Sequence, residues 1–107
     1  MIIRGGENVY CVEVENALFT HPEVTDAAVV GIPDRILGEE VGAVIQVRSQ
    51  ATLSEEALRH YLSERLAAFK VPCRIEMLRE PLPRNANGKI LKAELKLRFI
   101  AADTPSR

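Results

Sequence analysis

Residues 24–47, VTDAAVVGIPDRILGEEVGAVIQV, set the architecture that the rest of the chain has to fit. Residues 24–32 form a short apolar run rich in β-branched side chains, which predicts a buried strand. In residues 39–48 every second residue from Val41 to Val47 is apolar, and the residues between them are partly polar. This alternation predicts a second strand with one face more buried than the other. Pro33-Asp34 and Gly38 bound the loop that connects the two strands.

Two elements are predicted upstream of these strands. Residues 12–20 have helical spacing, with Val14 and Leu18 on one face, and Pro22 ends the helix because it disfavours helix at the preceding residue. Residues 1–10 contain two short β-prone pieces around a pair of glycines. Glycine adopts positive φ without steric cost, so this segment predicts a tight turn or a small hairpin.

A second helix is predicted after residue 52. Its cap is either Thr52, in a capping box with Glu55, or Ser54. The helix extends to the residues before Val71-Pro72, where the proline ends it.

The last part of the chain predicts a strand, a loop and a helix. Residues 74–80 form the strand, the prolines at 81 and 83 then exclude regular ladder pairing, and residues 84–89 form a polar loop. A final helix places its apolar side chains four residues apart, and we expect the tail after Ala102 to fray. The element order predicts one α+β domain over residues 1–107, a small, mainly antiparallel sheet covered by helices, with an N-terminal hairpin.

Composition and charge exclude several classes of function. The net charge is −1 and aromatic residues make up 5% of the chain, so nothing indicates the basic face with aromatic residues that a nucleic-acid partner requires. No apolar stretch approaches the roughly 20 residues of a membrane-spanning helix. Cys11 and Cys73 lack metal-ligand spacing, and His21 and His60 are isolated, so no metal site is expected. We expect both cysteines to be reduced thiols in a cytoplasmic protein rather than a disulfide.

Taken alone, the residues offer little catalytic chemistry. The pair Gly88-Lys89 suggests a phosphate-binding loop, but the upstream glycine and the Ser or Thr after the lysine are missing. The residues by themselves predict a turn at Asn87-Gly88 followed by a solvated lysine.

Three segments change that interpretation. They are residues 2–15 (IIRGGENVYCVEVE), residues 21–39 (from HPEV through DAAVVGIPD to GE), and residues 69–72 (FKVP) with 82–90 (LPRNANGKI). Their order and spacing resemble the C-terminal domain of the adenylate-forming superfamily, which includes acyl-CoA synthetases, adenylation domains and luciferases. The GGEN sequence at residues 5–8 is most similar to acyl-CoA synthetases. Cys11, where many relatives have proline, is a departure.

The resemblance implies a two-step reaction in which ATP and a carboxylic acid give an acyl-adenylate, and coenzyme A then displaces AMP. Lys89 matches the catalytic lysine of the first step, while Gly88 and Arg84 shape its loop. The small domain is expected to rotate between the steps.

The resemblance also implies a set of cofactor-binding residues: Gly5, Gly6, Glu7, Asn8 and Lys70. The first four match the loop that faces the active site in the thioester step. A plain hairpin turn remains the alternative for the glycines. For Lys70, contact with a coenzyme A phosphate and a solvated lysine at a helix end both remain open.

The family's hinge motif and its large N-terminal domain would precede Met1, so the chain is expected to be a fragment cut near the hinge. The N-terminal domain is then the main partner, and it would bind the acid, ATP and the accompanying Mg²⁺. The isolated chain is expected to be inactive. Two alternatives are an adenylation domain that loads a carrier protein and a free-standing α+β binding module without catalysis.

Overall fold

A computed structural model of the chain describes residues 1–103, with side chains to residue 100. Five strands and three helices follow one another in this range. They are β1 (Ile2–Arg4), β2 (Glu7–Val9), α1 (Cys11–Phe19), β3 (Val24–Asp34), β4 (Gly38–Val47), α2 (Glu55–Ser63), β5 (Arg74–Leu78) and α3 (Lys92–Asp103), with a 3₁₀ turn at Ala68–Lys70 before β5. The expected fraying after Ala102 concerns mainly residues 104–107, which lie outside the described residues.

The strands form one sheet centred on β4. β3 pairs antiparallel with β4 over its whole length, from Val24↔Val47 to Asp34↔Gly38. On the other edge of β4, β1 pairs antiparallel at Arg4↔Gly38, and β5 pairs in parallel from Gly42↔Arg74. The strand order is β2-β1-β4-β3, with β5 beside β4. The prediction of an α+β fold with a small, mainly antiparallel sheet is confirmed.

Both faces of the sheet are buried. One core cluster joins the sheet to α1, α2 and the N-terminal hairpin, and a second joins the opposite face to α3 through Leu95 and Phe99. The prediction that one face of β4 is more exposed than the other is wrong at the centre of the strand, where Val44 is as fully buried as Val41. The cause is α3, which covers the face that the alternating pattern left open.

The connection between β3 and β4 is tighter than predicted. Pro33 and Asp34 belong to β3 and pair with Glu39 and Gly38, so the connection shrinks to residues 35–37. Proline is tolerated here because β3 is an edge strand. The Asp34 carboxylate closes the turn by accepting the amide N–H groups of Ile36 at 3.0 Å and Leu37 at 2.8 Å.

The structure resolves the cap of α2 in favour of Ser54, whose hydroxyl accepts the Ala57 amide at 3.1 Å. The helix ends at Ser63, earlier than predicted. At this end the main-chain N–H of Arg65 bonds the Leu62 carbonyl instead of the Tyr61 carbonyl, and the side chains of Ser63 and Arg65 donate to the His60 and Tyr61 carbonyls.

β5 ends at Leu78, two residues before the predicted boundary. The next residue, Arg79, leaves the strand, and its guanidinium donates to the main-chain carbonyls of Arg48, Ser49 and Ala51 at 2.7–3.0 Å. This side chain therefore closes the turn that follows β4.

Candidate functional site

The side chain of Asn85 makes two hydrogen bonds within the loop that carries Lys89. Its amide oxygen accepts the main-chain N–H groups of Asn87 at 2.9 Å and Lys89 at 3.0 Å. The main chain closes the same loop, because the Asn85 N–H donates to the Lys89 carbonyl at 2.9 Å and the Gly88 N–H donates to the Asn85 carbonyl at 3.0 Å. Lys89 thus projects from a compact turn and not from an open polar loop.

Gly88 and Arg84 complete this turn. Gly88 has φ = +83°, which L side chains rarely adopt, and no atom lies within 4 Å of where a Cβ would be. The Arg84 guanidinium donates to the Gly88 carbonyl at 3.4 Å and forms an ion pair with Asp26 of β3. The Asp26 side chain is only 16% exposed, so this contact anchors the loop to the sheet.

A second ion pair holds the other end of the loop. Lys92, the first residue of α3, contacts the Glu15 carboxylate of α1 at 2.8 Å. The same Glu15 oxygen accepts the main-chain N–H of Val29, at the free edge of β3, at 2.9 Å. Both ends of the Lys89 segment are therefore attached to one edge of the sheet.

Lys89 itself is exposed, and within residues 1–103 its ammonium makes no ion pair. It borders an open groove of about 570 Å³ whose lining includes the apolar side chains of Phe19 and Ile90. The neighbouring cations Arg84 and Lys92 are already paired, so Lys89 is the cation of this groove left to meet an anionic ligand.

The second predicted loop is the hairpin turn between β1 and β2. Gly5 and Gly6 have φ of +56° and +84°, and the hairpin register is Ile2↔Val9. Gly6, Glu7 and Asn8 are exposed, and nothing lies within 4 Å of a Cβ added at Gly6. The turn therefore leaves its backbone open to a neighbouring molecule.

Side chains of β4 attach this hairpin to the sheet. The Glu39 carboxylate accepts the main-chain N–H of Ile3 at 2.9 Å, and Glu40 forms an ion pair with Arg4 at 2.7 Å. The hydrogen bond to Glu40 raises the pKa of the Arg4 guanidinium above its ordinary value. At the tip, the Gly5 N–H donates to the Leu37 carbonyl at 2.8 Å.

Lys70 lies in the 3₁₀ turn Ala68–Lys70, which is close to β2, the strand that carries Glu7 and Asn8. It ends the 3₁₀ turn, and its ammonium contacts both carboxylate oxygens of Glu13 at 2.9 and 3.0 Å. The Lys70 side chain is 22% exposed. It is therefore paired with α1 and is not the freely solvated lysine of one sequence interpretation.

The Lys89 loop and the Gly5-Gly6 turn lie at opposite ends of β3. The first is anchored at Asp26, and the second touches the turn that follows Asp34. Eight residues of extended chain separate these two positions, which corresponds to about 27 Å. The structure thus does not bring the two predicted sites together into one centre.

Sequence reasoning did not assign a role to the carboxylates that hold these loops, which are Glu15, Asp26, Asp34 and Glu40. A signal was present for Asp34, since an aspartate before a short connection favours a side-chain turn. No local pattern pairs Asp26 with Arg84 or Glu15 with Lys92, because these partners lie far apart in the chain.

Other features contribute less. A larger groove of about 690 Å³ beside Arg48 and Arg79 contains none of the predicted site residues. Cys11 and Cys73 are free thiols. In the described part of the chain, no three His, Cys, Asp or Glu side chains are grouped so that they could hold a metal ion. No helix within residues 1–103 has the length and apolar character needed to cross a membrane.

Comparison with known proteins gives consistent matches. A family model described as "AMP-binding enzyme C-terminal domain" matches residues 13–89. The chain is 49% identical to a crotonobetaine/carnitine–CoA ligase of Escherichia coli O8 (strain IAI1) over 96 residues, which are 90% of this chain and 18% of the ligase.

Solved structures agree with this match. A Mycobacterium tuberculosis fatty acyl CoA synthetase is similar with a TM-score of 0.86 and 39% identity, over 95% of this chain and 20% of the synthetase. An o-succinylbenzoate CoA synthetase from Bacillus subtilis, solved in complex with the acyl-adenylate intermediate OSB-AMP, has a TM-score of 0.80 and 41% identity, over 89% of this chain and 19% of the synthetase. The chain spans about a fifth of the length of these relatives.

Proposed function

Since the chain belongs to the family of AMP-binding enzyme C-terminal domains, we propose that it is the small domain of an ATP-dependent, AMP-forming acid–CoA ligase. In the first half-reaction a carboxylate oxygen attacks the α-phosphorus of ATP, and the bond to pyrophosphate breaks. In the second, the sulfur of coenzyme A attacks the acyl carbonyl carbon, the bond to AMP breaks, and the thiol gives up its proton.

Lys89 serves the first half-reaction. Negative charge accumulates on the α-phosphate oxygens and the attacking carboxylate as they approach each other, and a preorganised ammonium lowers the energy of that transition state. The ammonium of Lys89 has no competing anion among residues 1–103, and its main chain is fixed by Asn85. These two properties support the assignment.

The Gly5-Gly6 turn serves the second half-reaction. Its exposed, side-chain-free backbone gives the pantetheine arm a close approach that a Cβ at Gly6 would narrow. Glu7 and Asn8 are exposed beside it and available to the nucleotide or the cofactor. Lys70 contributes a point charge to a coenzyme A phosphate, with the phosphate replacing Glu13 as its partner.

The observation that carries this proposal is that the two loops are anchored near opposite ends of β3, at Asp26 and Asp34, which are about 27 Å apart along the strand. Loops that far apart cannot act on one acyl group from a single orientation of the domain. The small domain would rotate against a large partner domain between adenylation and thioester formation. Each loop would then face the acyl group in its own half-reaction. The large domain would hold the acid, ATP and Mg²⁺, and the enzyme would work in the cytoplasm.

The test is a pair of variants in the full-length enzyme with the half-reactions measured separately. We expect Lys89→Ala to slow acid-dependent pyrophosphate exchange by about 10²–10³-fold, the usual cost of one preorganised charge. Conversion of preformed acyl-adenylate to acyl-CoA should stay within about twofold, because Lys89 has then turned away. Gly6→Leu should suppress the conversion of preformed acyl-adenylate to acyl-CoA and leave pyrophosphate exchange largely intact.

Three results would count against the proposal. Pyrophosphate exchange within a few-fold of wild type in Lys89→Ala would remove the lysine assignment. An equal loss of both half-reactions in folded Gly6→Leu would remove the assignment of the turn. AMP release by the isolated chain, incubated with ATP, coenzyme A and a panel of acids, would remove the need for a second domain.

A further inference from the structure

β3 carries an anchoring carboxylate near each of its ends. Asp26 is close to the start of the strand and Asp34 is its last residue, eight positions later. Neither belongs to the loops described above, yet each contacts the segment that supports one of them. We propose that Asp26 and Asp34 are positioning residues for the two half-reactions, Asp26 for adenylation and Asp34 for thioester formation. The inference rests on the proposed function.

Asp26 acts on the Lys89 loop through two successive contacts. Its carboxylate pairs with Arg84, and the guanidinium of Arg84 donates to the carbonyl of Gly88, the residue directly before Lys89. The main chain of Arg84 also forms an antiparallel β-bridge with Ile90, on the other side of Lys89. Without the Asp26 charge, the guanidinium loses its anchor on the sheet, and the Lys89 backbone can shift relative to β3.

Asp34 also acts on its loop, the Gly5-Gly6 turn, through two successive sets of contacts. Its Oδ2 accepts the N–H groups of Ile36 and Leu37, which fixes the β3–β4 turn. The Leu37 carbonyl then accepts the Gly5 N–H at 2.8 Å. Beside the contacts of Glu39 and Glu40 with β1, the position of the Gly5-Gly6 turn therefore depends on the shape of the β3–β4 turn, which Asp34 closes.

The strand between the two carboxylates is a rigid connection. β3 pairs with β4 from Val24 to Asp34, and residues 27–30 are buried, with side chains in both core clusters. A strand held in this way cannot tilt at one end without disturbing the core. Both loops therefore take their positions from the same fixed element while remaining independent of each other.

The chemistry of the substitutions separates position from folding. Asp26→Asn keeps an oxygen that can accept the Ala27 N–H, as Asp26 Oδ1 does at 2.9 Å, but removes the charge that pairs with Arg84. Asp34→Ala removes the acceptor for two N–H groups, whereas Asp34→Asn keeps an amide oxygen in its place. Glu76→Gln is the control, because it removes an ion pair with Arg98, between β5 and α3, that is more exposed than the Asp26–Arg84 pair and touches neither loop.

The experiment measures both half-reactions in these variants of the full-length enzyme, beside Lys89→Ala and Gly6→Leu. A small misplacement of a reacting group can cost about 100-fold, and a flexible lysine recovers part of it, so we expect Asp26→Asn to lower kcat for adenylation about tenfold. KM for ATP, thioester formation and thermal unfolding should change little, and Asp26→Glu should restore most of the rate. Asp34→Ala should lower thioester formation about tenfold and spare adenylation, and Asp34→Asn should restore it.

The outcomes are distinguishable. Selective loss in Asp26→Asn and Asp34→Ala, with Glu76→Gln unchanged, supports the inference. If Lys89→Ala and Gly6→Leu separate the half-reactions but the two aspartate variants lower both equally or neither, the positioning roles are overturned and the proposed function stands. If Lys89→Ala leaves adenylation intact, both the proposed function and the inference fail.

Discussion

The main-chain N–H of Gly5 donates a 2.8 Å hydrogen bond to the carbonyl of Leu37, which joins the tip of the N-terminal hairpin to the turn between β3 and β4. The side chain of Leu37 also lies over Gly5, and its Cδ2 would be 2.9 Å from a Cβ placed there. Gly6, the next residue, has open space at the same position. Two adjacent glycines with positive φ therefore differ in what surrounds them.

This difference predicts unequal effects of alanine. Both substitutions place an L side chain at positive φ, which costs about 1–2 kcal/mol, so Gly6→Ala should lower the free energy of unfolding by roughly that amount. Gly5→Ala should cost more, because Leu37 has to move as well. Urea unfolding of both variants measures the difference.

Leu37→Ala in the Gly5→Ala background is the control, since it removes the contacting atom. It should bring the penalty of Gly5→Ala, measured against Leu37→Ala alone, close to that of Gly6→Ala. Equal destabilisation by the two single glycine variants would show that the Leu37 contact carries no cost.

The side chain of Asn85 is predicted to matter for adenylation. Asn85→Ala removes the acceptor for the Asn87 and Lys89 N–H groups, so the lysine loses its fixed starting point. We expect pyrophosphate exchange in the full-length enzyme to fall about tenfold, which corresponds to roughly 1.4 kcal/mol of transition-state stabilisation. Asn85→Asp should retain most of the rate, because a carboxylate oxygen accepts the same N–H groups.

Asn87→Ala provides the comparison in the same loop, because the Asn87 side chain makes no hydrogen bond to any residue among 1–103. Its effect on exchange should stay within about twofold, as expected for a surface substitution that removes no structural contact. A loss as large as that of Asn85→Ala would mean that the loop is sensitive to any change and that Asn85 has no special role.

Ser54 and Thr52 give a test of the α2 cap. Ser54→Ala removes the acceptor for the Ala57 N–H and should lower the free energy of unfolding by about 1 kcal/mol. Thr52→Ala should change it by less than about 0.5 kcal/mol, because Thr52 is exposed and is not the N-cap. Chemical denaturation of the two variants decides between them, and a larger effect at Thr52 would place the cap there.

Lys70 and Glu13 separate a role in coenzyme A binding from a role in packing. Their ion pair is partly exposed, so Lys70→Met and Glu13→Gln should each change stability by less than about 1 kcal/mol. If Lys70 binds a phosphate, Lys70→Met should raise KM for coenzyme A about threefold to tenfold, the loss expected for one charged contact of roughly 1 kcal/mol. Glu13→Gln should leave KM unchanged or lower it, because it releases the lysine. Equal KM values for coenzyme A in the two variants would show that Lys70 does not bind the cofactor and serves only in its ion pair with α1.

Local sequence patterns predicted most of the secondary structure. The glycine pair predicted the hairpin, the apolar spacing predicted α1 and α3, and the run from Val24 predicted β3. These signals work because they depend on residues within about four positions of one another. Where two local signals competed, as with Thr52 and Ser54, the pattern left the choice open, and the geometry of one hydrogen bond decided it.

The candidate site was only partly predictable. The residues alone predicted a turn and a solvated lysine at Lys89, and the proposal of a catalytic role came from the resemblance to a family. The turn itself was correct, since Gly88 has positive φ, but the two hydrogen bonds to Asn85 that fix it became visible only in the structure.

By itself, the sequence determined the order of the elements, the turn residues and the apolar content that places this chain among small α+β domains. The tertiary structure alone decided that α3 covers the second face of β4, that Arg84 pairs with Asp26, and that Lys92 pairs with Glu15. The physical reason is separation along the chain: Arg84 and Asp26 are 58 residues apart, and Lys92 and Glu15 are farther apart still, so no local preference brings either pair together. Their contacts form only when burial of the apolar faces has closed the sheet and its helices into one core.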